Sequence, residues 1–370
     1  MTSIKGAGHV RPLLPFADAF RDQGHEVLIA VPERATGLVL DAGHAAWALP
    51  QPADEAGAPI SARARELPRD EANAIVIGEL FAGLYARAAV PGVAAAIEDW
   101  RPDVLVRESC EFAGALAAER AGVPCVRVAV HMEALEDYIV AMAAREVDKL
   151  RVAHGLAADP GGERLLAEAT MTLTPPALDG HRRERHYREP LPPRGAAPGD
   201  GPPLVYLSFG TAAPQGDAYP RLYAAAVEQL TGLDARVLLN TGRQDPAALG
   251  VLPANVHAEP WVHEAAVLPH VAAMVSHAGA GSVRTALAAG VPLALLPLFG
   301  DQPLNAEAVA AAGAGLVAGG PHALRDTVAA VLGDPAYART AREIAAETAT
   351  LPLPGAAIEV LEAALGAPVT

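Results

Sequence analysis

Four apolar runs in the second half of this chain, "PLVYLSF", "ARVLLNT", "AAMVS" and "PLALLPLF", carry no polar alternation, and each is followed by a loop. Most of those loops lead into a helical stretch. Uninterrupted apolar runs of strand length suit strands covered on both faces, which pair in parallel and need helices as crossovers. The first half repeats the pattern. Leu13, Leu14, Ala17 and Phe20 share one helical face that Gly24 can close before the strand-like "EVLIAV". "DVLV" then precedes the helical "SCEFAGALAAERAG", and "VPCVRVAV" follows it. Residues 60–100 read as helical with weak patterning, and residues 339–365 as helical apart from "LPLPG". At 370 residues the chain exceeds what one core serves, so two α/β units with parallel sheets are predicted. Pro and Gly crowd residues 174–203, which forbids a continuous helix or central strand and sets the domain boundary there.

Charge and cysteine content narrow the partners. Twenty-eight basic against 43 acidic residues give a formal charge of -15, which repels nucleic acid and anionic lipid. The dense basic run His181–Glu189, "HRRERHYRE", contains two glutamates and reads as a solvated connector. Cys110 and Cys125 fit neither a zinc nor a redox spacing, so they are expected to be buried filler in a protein of the reducing cytoplasm. The start "MTSIKGAGHV" has no signal-peptide core, and Pro, Gly, His or Arg interrupts each long apolar stretch, so no membrane insertion is expected.

Ligands of open parallel sheets bind beyond the carboxyl ends of the strands. That rule selects Gly210-Thr211, Thr241-Gly242, Trp261, His277 and Asp301-Gln302 in the second half, and His9 and Glu108 in the first. The segment from His277 through Gly279, Gly281 and Ser282 follows a strand and opens a helix, aiming free amides and the positive dipole end at a bound anion. Ser282 and His277 add donors, a combination matched to a diphosphate. The alternative is a tight strand-to-helix turn, since Gly-x-Gly alone is a weak signal. Neither "GAGHVR" nor "GAGSVR" completes the third glycine of a dinucleotide fingerprint. "HEAAVLPH" lacks the zinc-helix spacing, and no carboxylate cluster resembles a magnesium site, so no metal or other cofactor is expected.

The run "EPWVHEAAVLPHVAAMVSHAGAGSVRTALAAGVPLALLPLFGDQPLNA", with "GAGHVRPLLPFADAFRDQGHEV", "RPDVLVRESCEFAGALAAERAGVP" and "LVYLSFGT", resembles the family 1 GT-B glycosyltransferases that decorate actinobacterial natural products. The resemblance implies two Rossmann-like doubly wound domains facing each other across a cleft. Their expected ranges are 1–190 for the acceptor and catalytic base and 191–345 for the nucleotide-sugar donor, with a terminal helix in 346–370 packing back on the first domain. It implies Trp261 stacking on the base, the Val262 backbone reading the base edge, and His277, Gly279, Gly281 and Ser282 on the diphosphate. Gly210, Thr211 and Thr241 join the donor site, and Asp301 and Gln302 take sugar hydroxyls. Trp261 could equally be a core aromatic, and Asp301 a helix cap. Many relatives that use UDP-sugars carry a glutamate where this chain has Thr285, so a dTDP-sugar is the expected donor, with a UDP-sugar the alternative. His263-Glu264 stands where Pro-Gln is usual.

By the same resemblance His9 is the general base, and histidine suits the task because its ordinary pKa is ~6.5. Glu108 would hold its far nitrogen, with Glu111 in reserve, by the orienting logic of hydrolase triads. A lone histidine near a helix start is otherwise a cap or an exposed residue. The implied activity is metal-independent, inverting transfer of a deoxysugar to a hydroxyl of a small apolar acceptor. A sugar-nucleotide epimerase and a non-catalytic helper are the alternatives, and a homodimer is left open. Pocket residues are sought in 45–100 and near His131, with Trp47 and Phe81 as readily core as contact.

Overall fold

The computed structural model describes residues 1–179, 185–190, 201–211, 213–215 and 218–366. Two compact units emerge: Met1–Leu173 with Asp179–Glu189 and Pro352–Thr370, and Thr174–Leu178 with Pro190–Leu351.

In the first unit the strands are β1 (Leu28–Pro32), β2 (Ala45–Leu49), β3 (Leu105–Glu108), β4 (Cys125–Ala129), β5 (Ala169–Thr172) and β6 (Arg185–His186). β1 pairs with β2, and β3 to β6 pair in sequence order, all in parallel. Thr2 joins the two pieces by bridging Ala30 and Arg107. Its N–H donates to the Val106 carbonyl at 2.8 Å, and its own carbonyl accepts from Glu108 N at 3.1 Å. Residues 1–4 thus occupy the place of a central strand, and the strand order runs outward in opposite directions on either side of them. The loop that follows, Lys5 to His9, therefore emerges beside the carboxyl end of β3.

β3 is buried along its whole length, as its apolar run requires. The helical reading of residues 60–100 holds, with a helix Asp54–Arg65 ending inside it before a continuous one begins. Arg69–Ala74, Ile75–Tyr85 with π-helical hydrogen bonding, and Ala86–Trp100 follow one another without a break. By length and composition this stretch could span a bilayer. Its residues Ile77, Ala82, Ala86, Ala89, Val90, Val93 and Ile97 instead belong to the unit's core. One expectation fails here. Part of the basic "connector" is structural: Arg185–His186 forms β6, and Tyr187 is 3 % exposed with its ring edge-on to Phe16 at 5.5 Å. The aromatic ring needed cover from water more than its charged neighbours needed exposure. His181 to Glu184 lie outside the described residues.

The second unit contains β7 (Leu204–Ser208), β8 (Arg236–Asn240), β9 (Val256–Glu259), β10 (Ala273–Ser276), β11 (Leu293–Leu295) and β12 (Gly315–Val317). They form one parallel sheet in the order β12-β11-β10-β7-β8-β9. The order reverses between β10 and β7, and a crevice at the carboxyl ends of these two strands is the natural ligand site of such a sheet. β11 is shorter than its apolar run because Pro297, having no N–H, cannot extend the ladder.

Candidate active site

His9 lies in the short helix Ala7–Val10, entered through Gly6, whose φ of 118° is the left-handed region open to glycine. Its Nδ1 is 3.2 Å from Glu108 Oε2. Glu108 ends β3 and is fully buried, and its position is fixed twice over: Oε1 accepts from Ile4 N at 3.2 Å and Oε2 from Cys110 N at 2.8 Å. Thus the sequence-distant pair is brought together by the adjacency of residues 1–4 and β3. With the carboxylate on the Nδ1 side, Nδ1 carries the proton and Nε2 the lone pair. Glu111 is not part of this pair. It accepts from Thr2 Oγ1 at 2.6 Å and from Gly114 N at 2.9 Å, and burial raises its pKa.

The loop carrying Glu108 has a support that sequence reading missed. Arg107 is fully buried, and its Nη1 donates to the carbonyls of Glu108, Ser109 and Glu111, each at 3.1 Å. Glu168 balances its charge, accepting from Nη2 at 2.6 Å. An arginine in the middle of an apolar run was the available signal. Cys110 is buried in the core as expected, its backbone amide holding Glu108, whereas Cys125 is only half-buried. His9, Glu108 and Cys110 also place one potential metal-ligand atom each within 4.8 Å of one another, a grouping assembled across the fold that sequence spacing does not reveal.

In the second unit the loops after β7 and β10 meet. A Cβ on Gly210 would lie 2.6 Å from the His277 ring, and one on Gly279 would lie 2.4 Å from it. Both glycines are therefore required by the imidazole wedged between them. His277 is 8 % exposed; burial pushes its pKa down to about 4, opposed by the charge of Asp301 and by the Ser208 backbone. The helix Ala280–Ala288 begins at Gly279 with no side-chain cap and no acidic residue in its first turn. Its first amides, including Gly281 and Ser282, have no partner within the helix, as at any helix start. No Cβ contact constrains Gly281.

Asp301 sits at the N-cap of the helix Gln302–Ala311 yet makes no capping bond; it accepts from Asn305 Nδ2 at 2.8 Å. That amide also donates to the Ala278 carbonyl at 2.9 Å, tying the helix to the glycine loop. Asn305 was overlooked in the sequence. Gln302 is 3 % exposed, and its Oε1 accepts from Leu298 N and Phe299 N at 2.8 and 3.0 Å, so its carbonyl shapes the loop and only Nε2 remains for a ligand. Thr241 is similarly engaged, donating to the Gln244 carbonyl at 2.6 Å. Thr211 follows Gly210 at the end of β7 and is half-buried. Trp261 is half-buried, with the Arg243 guanidinium 4.9 Å from its ring centroid, another contact missed in the sequence. Val262 is buried in the core beside Leu268 and Met274, which fixes the backbone next to the indole.

The family described as Erythromycin biosynthesis protein CIII-like matches through its N-terminal domain at residues 18–153 and its C-terminal domain at residues 224–364. The elloramycin glycosyltransferase ElmGT of Streptomyces olivaceus is 32 % identical, covering 98 % of this chain and 96 % of its own. Among solved structures, the calicheamicin glycosyltransferase CalG4 superposes with a TM-score of 0.81 at 24 % identity over 99 % of this chain and 97 % of its own. SsfS6 of Streptomyces sp. SF2575, complexed with thymidine diphosphate, gives a TM-score of 0.78 at 25 % identity over 98 % of each chain. Two parallel-sheet units that match this family along both halves place the chain in the Erythromycin biosynthesis protein CIII-like family of antibiotic-biosynthesis glycosyltransferases, with the GT-B fold.

Proposed function

We propose that the enzyme transfers a deoxysugar from a thymidine-type nucleoside diphosphate to a hydroxyl of a small, largely apolar acceptor, with inversion and without a metal ion. The His9–Glu108 pair carries this reading, since an epimerase or a donor-blind helper has no task for an oriented imidazole in the first unit. Nε2 takes the acceptor proton as the new O–C1 bond forms. The bond from C1 to the phosphate oxygen breaks, and its electron pair leaves on the diphosphate. Attack from the face opposite the leaving group inverts C1. The free amides of Gly281 and Ser282 and the His277 ring would stabilise the departing charge, as preorganised donors do elsewhere.

Trp261, backed by Arg243, offers a stacking surface for the base, and the backbone of Val262 lies beside it for the base edge. Asp301 and the Nε2 of Gln302 are the groups left for sugar hydroxyls. Thr285 turns its hydroxyl back to the Gly281 carbonyl at 2.9 Å and presents no carboxylate to a ribose 2′-hydroxyl, which favours a deoxyribose nucleotide. The thymidine diphosphate bound by the similar SsfS6 supports the same choice.

Calorimetric titration and transfer assays test the reading together. His9→Ala is expected to lower transfer by about 100-fold or more while leaving dTDP affinity within twofold. Donor sugar interconverted in the absence of acceptor would replace transferase with epimerase, and binding of UDP but not dTDP would overturn the nucleotide assignment.

A further inference from the structure

The imidazole of His9 has a second imidazole beside it that the transfer step above leaves unused. His131 follows β4, the direct neighbour of β3, with Glu108 paired opposite Val128. The two histidine rings lie 6.2 Å apart between centroids at 67°. Like His9, His131 has its own buried carboxylate: Nδ1 is 3.5 Å from Glu136 Oε1. Glu136 is 2 % exposed, and Oε1 also accepts from Ser109 Oγ at 2.6 Å and from the His131 amide at 3.3 Å. The Arg127 Nε stands 3.7 Å from Oε2. Burial opposes ionisation of Glu136, but the adjacent His131 ring, the Arg127 guanidinium and the Ser109 hydroxyl outweigh it and hold its pKa below the ordinary value.

A second histidine–glutamate pair at the same end of the sheet is costly to bury unless its polar end is used. The other flank of His9 is apolar and aromatic. Phe81 meets it edge-on at 6.0 Å, and Phe81 stacks on Tyr85 at 5.9 Å and 23°. The His9 ring therefore lies between the aromatic pair Phe81–Tyr85 and a second imidazole. A planar aromatic lies well against the first. The second asks for an oxygen next to the one being glycosylated.

We propose that His131, held by Glu136, is a second oxygen-binding point of the acceptor site, and that the acceptor is an aromatic ring bearing two hydroxyls on adjoining carbons. This rests on the glycosyl-transfer reading above. The Glu136 carboxylate, 3.5 Å from Nδ1, favours the proton on that nitrogen, which leaves Nε2 of His131 an acceptor for a hydrogen bond from the neighbouring hydroxyl at about 2.8 Å. The attacked hydroxyl gives its proton to His9, and His131 neither gains nor loses one. His131 is a positioning residue: it selects which hydroxyl reaches His9.

Calorimetric titration with 2,3-dihydroxynaphthalene and 2-naphthol, beside dTDP as a control, tests this without a sugar. The wild type is expected to bind the diol about tenfold or more tightly than the mono-ol. His131→Phe should abolish that preference while leaving 2-naphthol affinity within threefold and dTDP affinity unchanged. His131→Asn, which keeps a donor for Glu136, should also lose the preference, and it serves if the Phe variant folds poorly. Equal affinities in the wild type, no binding of either naphthol, or a preference that survives both substitutions would overturn the proposal. Loss of dTDP binding by the wild type would instead strike the transfer reading itself.

Discussion

At the scale of single residues, the second unit's site turns on keeping His277 neutral. Burial holds its folded pKa down at about 4, against 6.5 unfolded. Above pH 6.5 the ring is neutral in both states and costs nothing. Between pH 6.5 and 4 the unfolded chain takes up the proton first, so stability falls as pH falls, by about 3 kcal/mol in all. His277→Gln should flatten that part of the stability–pH curve measured by denaturant unfolding; an unchanged slope would mean that another group titrates. A diphosphate brings negative charge to the ring and should raise its pKa, so dTDP binding near pH 5.5 should take up protons, read from calorimetry in buffers of different ionisation enthalpy. Gly279 was legible in the sequence because "SHAGAGS" is contiguous, and Gly210, on the other side of the ring, because it follows the apolar run of β7. Asn305 and Arg243 were not legible, because each acts on a partner that only the folded chain brings near, as Asn305 does on Ala278; Arg107, which holds carbonyls of its own loop, left only its place in an apolar run as a signal.

At the scale of elements, the carboxyl ends of β3, β7, β8 and β10 were legible because they depend only on where apolar runs end. Which polar groups at those ends stay unengaged was not legible. Thr241 and the carbonyl of Gln302 are spent on their own loops, a fact set by loop geometry that no spacing encodes. Strands without a strong apolar run, such as β12, Gly315–Val317, were missed for the same reason that they are short edges. The link between elements that matters most is Asn305, 2 % exposed, which joins the helix Gln302–Ala311 to the glycine loop and to Asp301. Asn305→Ala leaves a buried carbonyl unpaired, which costs about 1–3 kcal/mol. The thermal midpoint should fall accordingly, and dTDP should bind more weakly by about tenfold as the loop loses its brace. A variant with lowered stability but wild-type dTDP affinity would show that the loop holds its shape without this amide.

At the scale of the whole molecule, the two units own separate cores. The first is built from clusters around Leu116, Phe16 and Val31, the second from clusters around Phe209 and Leu287. The chain nonetheless returns to the first unit at its end, where Ala357 and Val360 are buried with Phe16, Phe20 and Tyr187. Unfolding the first unit must therefore free the terminal segment Pro352–Thr370 along with the amino-terminal half. A ligand held by one unit stabilises that unit by mass action, by about 2.7 kcal/mol at a hundredfold excess over Kd. Scanning calorimetry is thus expected to resolve two transitions, of which dTDP raises only the one belonging to the second unit. Leu116→Ala, in the first core, should lower the other by removing buried apolar contacts, at a cost of about 2–5 kcal/mol. A single transition moved as a whole by both dTDP and Leu116→Ala would mean that the two cores, separate in their packing, melt as one cooperative body.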